Sequence, residues 1–100
     1  MAPIISPFQF DGPLNAGDTA VLTCYVPKGD RPLKIKWFFN GRHITHHTRG
    51  ISISSFGSQA SILNINSVES HHKGEYACVV TNAAGKSKYV AFLDVNGTVC

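Results

Sequence analysis

Three cysteines, five histidines and six carboxylates are the residues of this 100-residue chain with the means to do chemistry. The carboxylates, Asp11, Asp18, Asp30, Glu69, Glu75 and Asp94, fall mostly in turn-like sequence. No two are expected to face one cleft as paired acid–base catalysis requires. Serines are plentiful, but none sits in a glycine-flanked nucleophile elbow, and no glycine stretch has the spacing of a phosphate cradle. His46-His47 and His71-His72 are adjacent pairs in loop-like sequence. Neighbours on an extended segment point opposite ways, so neither pair makes a two-ligand metal site alone. A zinc site drawn from both pairs needs the two loops at one end of the molecule, and the plainer reading is solvated loop histidines. The chain is therefore expected to have no catalytic residue, no metal site and no cofactor, and not to be an enzyme. Cys24, Cys78 and Cys100 remain, and their meaning depends on the elements that hold them.

Composition allows one packed domain: 43% hydrophobic residues, 15% charged ones and a mean hydropathy of −0.01 suit a folded core rather than a disordered tract. No apolar run approaches the roughly 20 residues of a membrane helix. Met1-Ala2-Pro3 lacks the basic and apolar regions of a signal peptide, so Met1 is read as the start of an expressed fragment, with any export signal or anchor outside it. A membrane is thus expected only through a region beyond these residues. The net charge of +3 and pI near 8.9 are modestly basic. The Lys and Arg residues are scattered and alternate with apolar ones, as on a solvated sheet face, so no nucleic-acid partner is expected.

Period-two alternation runs along the chain, whereas no dozen-residue window keeps helical spacing unbroken. Thr19 to Val26 places Ala20, Leu22, Cys24 and Val26 on one face; Leu33 to Phe39 does the same with Ile35, Trp37 and Phe39. Ile51 and Ile53, then Leu63 and Ile65, mark short strands. Tyr76, Cys78 and Val80 form another inward set, followed by Tyr89, Ala91, Leu93 and Val95. Asn40-Gly41 is a two-residue hairpin signal, since both residues tolerate positive φ. Asn15 to Asp18, Ser55 to Ser58 and Asn82 to Gly85 read as looser turns. Pro3, Pro7 and Pro13 restrict the N-terminal segment to a kinked edge strand. The expected fold class is all-β, with seven to nine short strands in a sandwich or barrel.

Cys24, Trp37 and Cys78 stand in strand positions, with Tyr76 two residues before the second cysteine. This arrangement resembles the immunoglobulin signature, and the resemblance implies a Cys24–Cys78 bridge between two antiparallel sheets, the Trp37 indole packed on it, and a Tyr76 hydroxyl bonded back to the turn before its strand. A bridge closing about fifty residues contributes about 4 kcal/mol in the chain-entropy model and belongs in an oxidising compartment. The residues alone leave a second reading open, in which both cysteines are buried free thiols acting as small hydrophobes. Cys100 lies beyond the last strand and is expected to be a fragment end, a linker residue or an intermolecular bridge. Asn96-Gly97-Thr98 fits the N-glycosylation pattern. The domain is assigned to residues 1–96, with 97–100 as linker or fragment end.

With only a short strand after Asn40-Gly41, the chain resembles the I-set of immunoglobulin-like β-sandwiches. The stretches Pro3 to Phe10, Lys28 to Trp37 and His72 to Cys78 resemble, more narrowly, the variable seventh immunoglobulin domain of arthropod Dscam and the similar first domain of the shortened Dscam proteins of chelicerates. The similarity covers residues 3–95. Many I-set domains carry an aspartate where His72 stands, paired with an arginine at the start of the fourth strand. Dscam domains of this type commonly carry histidine there, which leaves Arg49 without that partner. The resemblance implies an extracellular part of a cell-surface or secreted protein, set among other domains of its chain. It also implies isoform-specific binding to an identical copy, antiparallel and on an opposing cell, in neuronal self-avoidance. A spacer domain in a long array, or binding of a foreign partner through loops around His46-His47, are the alternative functions.

Alternation also sorts the outer faces. One sheet is expected to expose Val21, Thr23, Tyr25, Ser52, Ser54, Ile62 and Asn64; the other, Lys34, Lys36, Phe38, Val79, Val90 and Phe92. Both carry enough apolar surface to suggest contact. A two-fold contact sets one patch against its own copy, so lysines near the dyad repel, and the uncharged first face is the expected homophilic surface. Trp37, Tyr76 and Leu63 are the expected core signature.

Overall fold

The computed structural model describes residues 1–10, 12–45 and 50–96. Seven strands follow in order: β1 Ala20–Tyr25, β2 Lys34–Phe39, β3 Arg42–Ile44, β4 Ile51–Phe56, β5 Ala60–Ile65, β6 Gly74–Asn82 and β7 Gly85–Leu93. They form two antiparallel sheets, β1-β5-β4 and β3-β2-β6-β7, and the only helical element among the described residues is a 3-10 turn, Ser70–His72. Strict alternation in β1, buried then exposed, shows how the pleat turns a period-two sequence into one wet and one dry face.

Between the sheets lie Leu22, Cys24, Trp37, Leu63, Ile65, Tyr76, Cys78 and Leu93, all essentially inaccessible. Cys24 and Cys78 are joined by a disulfide that ties β1 to β6 across the core. Trp37 is adjacent to Cys78 in the β2–β6 ladder, and its indole N–H donates to Ser61 Oγ at 2.9 Å. A buried indole needs such an acceptor, and Ser61 on β5 provides it. The Tyr76 hydroxyl donates to the His72 carbonyl at 2.7 Å, and burial raises its pKa above the ordinary phenol value.

Turn chemistry holds where the sequence pointed to it. Asn40 and Gly41 both have positive φ, 49° and 84°, and join β2 to β3. Asn40 also accepts from the Glu75 backbone N–H at 2.9 Å. That contact explains Gly74: with φ of 151°, a Cβ there would lie 2.6 Å from Asn40 Oδ1 and 2.8 Å from the Phe39 ring. Asn82 Oδ1 accepts from the N–H groups of Ala84 and Gly85, closing the β6–β7 turn.

Three expectations are corrected. The stretch from Ser55 to Ser58 is not all turn: Ser55 and Phe56 continue β4, paired with Ser61 and Ala60, and the chain reverses over Gly57, Ser58 and Gln59. Gly57, with φ of 68°, takes the left-handed position by itself, so the strand runs two residues longer. The N-terminal segment is not one edge strand. It bridges Ile4 to Lys28 and later Leu14, in parallel, to Val95, so it crosses from one sheet to the other. His71 and His72 are neither extended nor both solvated. The 3-10 turn brings their rings to 4.1 Å, and His72 is buried, its Nδ1 accepting from the Glu69 N–H at 2.9 Å. His46, His47 and Arg49 lie outside the described residues, as do Gly97, Thr98 and Cys100.

Candidate interaction surface

β-sheet register decides which outward side chains are neighbours. On β1-β5-β4 the rows are Val21–Asn64–Ser52, Thr23–Ile62–Ser54 and Tyr25–Ala60–Phe56. All seven residues assigned to this face from alternation therefore share it, arranged as a three-by-three grid that also contains Ala60 and Phe56. Neither is expected from the sequence: Ala60 is buried, whereas Phe56, 73% exposed, lies in a stretch whose composition reads as a turn. The signal that could have found it is the period-two continuation Ser52, Ser54, Phe56 up to the glycine. Val21 and Tyr25 are about half exposed, at 49% and 47%, and no member of the grid carries a charge. Exposed aromatic and aliphatic side chains on one flat patch are atypical of a free surface. Near the edge of the grid, the Asn64 side-chain oxygen is buried without a hydrogen-bond partner, the one such atom among the described side chains. A polar group left in that state calls for a donor.

The opposite face has the rows Lys34–Thr81–Lys86, Lys36–Val79–Lys88 and His43–Phe38–Ala77–Val90, then Glu75–Phe92. Phe38 and Val79 are half-buried rather than fully outward, Phe38 because its ring lies against His43 at 5.4 Å. Phe92 is 60% exposed. The basic residues are thus less scattered than the linear sequence suggests: β2 and β7, distant in the chain, bring four lysines into two adjacent rows.

Neither face has the parts of a reaction centre. Among the described residues, no group of three His, Cys, Asp or Glu side chains lies close enough to hold a metal ion. No helix among the described residues is long and apolar enough to cross a membrane. Asn96, the glycosylation candidate, is exposed, and its side-chain N–H donates to Asn15 Oδ1 at 2.8 Å.

Two sheets, a Cys24–Cys78 bridge, a buried indole beside it and a tyrosine bonded back to the preceding turn define an immunoglobulin domain. The family described as "Immunoglobulin domain" matches residues 3–82. Cell adhesion molecule Dscam1 of Drosophila melanogaster is 42% identical over 95 residues, which are 94% of this chain and 5% of that protein. The chain thus spans about a twentieth of that relative's length. The crystal structure of the Dscam1 Ig7 domain, isoform 5, superposes with a TM-score of 0.93 at 43% identity, covering 95% of this chain and 97% of that one. The eight N-terminal immunoglobulin domains of Down Syndrome Cell Adhesion Molecule isoform 1.30.30 include a match of TM-score 0.86 at 39% identity, over 95% of this chain and 12% of that one. The chain belongs to the Dscam group of the immunoglobulin family. Its Dscam relatives are cell adhesion molecules of a non-enzymatic family, and the domain is extracellular, of the kind found within multi-domain chains.

Proposed function

We propose that this domain gives isoform-specific homophilic binding in cell adhesion and neuronal self-avoidance, by antiparallel two-fold pairing of the β1-β5-β4 face with an identical copy on an opposing cell. The observation that carries the reading is the uncharged grid with Tyr25, Val21 and Phe56 exposed upon it. A dyad through the central Ile62 sets the Tyr25–Phe56 row of one copy against the Val21–Asn64–Ser52 row of the other. The aromatic side chains then bury against an aliphatic and hydroxyl surface. No charge meets its own copy, so the desolvation and repulsion that a lysine face incurs are absent. One domain pairs weakly, and neighbouring domains of the chain add avidity.

Sedimentation across a concentration series tests this, with wild type beside a Tyr25→Asp, Ile62→Asp double variant and circular dichroism to establish that both are folded. The expected result is a dimerising wild type and a monomeric variant. Dimers of both would keep self-binding but move it to another face. A wild type that stays monomeric to about millimolar, where association is worth only about 4 kcal/mol, favours a spacer role.

A further inference from the structure

We propose that the lysine rows of the β2-β6-β7 face bind sulfated glycosaminoglycan chains of the cell surface. Lys34 and Lys36 on β2 flank Thr81 and Val79 on β6, with Lys86 and Lys88 on β7 completing the two rows. All four side chains are exposed, and none forms an ion pair with a described residue; the lysine that does so is Lys73, with Asp94. Strand geometry sets the lysines about 7 Å apart along each strand and about 10 Å apart across β6. These separations are close to the Debye length at physiological salt, so the four charges repel one another and add to a single local potential. Nothing in the fold requires that repulsion. Scattered lysines would confer the same solubility, and the opposite sheet has no charge on its outer grid.

The geometry selects the ligand class. Lysine ammonium groups are compact point charges that suit separate sulfates, whereas planar, two-toothed phosphate recognition favours arginine, and these rows contain none. No aromatic side chain lies within the two lysine rows to stack bases, which argues against single-stranded nucleic acid. Thr81, between Lys34 and Lys86, offers a hydroxyl to a sulfate or sugar oxygen. Because the domain is extracellular, the abundant linear polyanion within reach is sulfated polysaccharide. The site lies on the sheet opposite the uncharged grid, so it rests on the extracellular placement alone and not on self-pairing.

Heparin serves as the probe, with binding followed on the intact domain by titration at about 0.15 M NaCl. A Lys34→Ser, Lys36→Ser, Lys86→Ser, Lys88→Ser variant is compared with Lys28→Ser, Arg31→Ser, Arg42→Ser, Lys73→Ser, which removes the same charge elsewhere. The expected result is at least a tenfold weakening in the first variant, no more than threefold in the second, and a log–log salt slope lower by about 3 in the first. Equal loss in both variants, or no binding by wild type, overturns the site. Equal binding of desulfated heparin, single-stranded DNA or phosphatidylserine vesicles overturns the ligand class. Circular dichroism confirms folding of both variants.

Discussion

Along β5 the outward residues are Ala60, Ile62 and Asn64; along β6, the corresponding central strand of the other sheet, they are Glu75, Ala77, Val79 and Thr81. Neither β5 nor β6 carries a lysine, and the difference between the two faces is made by their neighbours. β1 and β4 add Val21, Thr23, Tyr25, serines and Phe56, while β2 and β7 add four lysines. The same sandwich thus presents one surface able to meet its own image and one that repels its image. A self-complementary surface must be harmless to itself, whereas a surface for an unlike partner need only oppose that partner's charge.

The comparison breaks most sharply if charge is moved onto the neutral grid. Thr23→Lys, in the row of Ile62, is expected to weaken self-association a hundredfold or more, since like charges then face each other at several kcal/mol, while Lys36→Thr leaves it within about twofold. Sedimentation equilibrium measures both. Tyr76→Phe separates fold from face: losing the hydroxyl removes the buried hydrogen bond to the His72 carbonyl and lowers unfolding free energy by about 1 kcal/mol in a urea titration, with self-association unchanged. Phe56→Ser is expected to weaken dimerisation about tenfold by removing its buried apolar area, and Phe92→Ser on the lysine-bearing sheet to leave it unaltered. The smallest effect is that of salt. Raising NaCl from 0.05 to 0.5 M should change self-association by less than about threefold, because an uncharged contact leaves little to screen.

The core and its signature were legible because their signals are local or tied to rare residue types. Trp37, Tyr76 and the two bridged cysteines occupy alternating inward positions whose residue types carry the immunoglobulin resemblance, and Asn40-Gly41 announces its own dihedral angles. What escaped depends on partners distant in sequence. Phe56 joins the grid because Ala60 pairs with it across a turn shorter than its composition suggested, and Lys86 meets Lys34 only through β6. His72 is buried because a 3-10 turn, too short to leave a periodic pattern, folds it under the Glu69 backbone. Ser61, one serine among many, is distinguished only by the indole above it.

The crossing N-terminal segment has a mechanical consequence. Met1 hydrogen-bonds to Asp30 and to the Asn82 side chain near the start of β7, whereas Asn96 lies past its other end, so Met1 and Asn96 are separated by roughly the 30 Å length of that strand. Leu14 runs parallel to Val95, its N–H donating to Asp94 and its carbonyl accepting from Asn96. Tension applied through the two ends therefore pulls these paired segments in opposite directions along their length. Both hydrogen bonds are loaded together in shear rather than opened one after another. A domain held between tethered neighbours of its own chain would resist tension at this clasp before its sheets come apart.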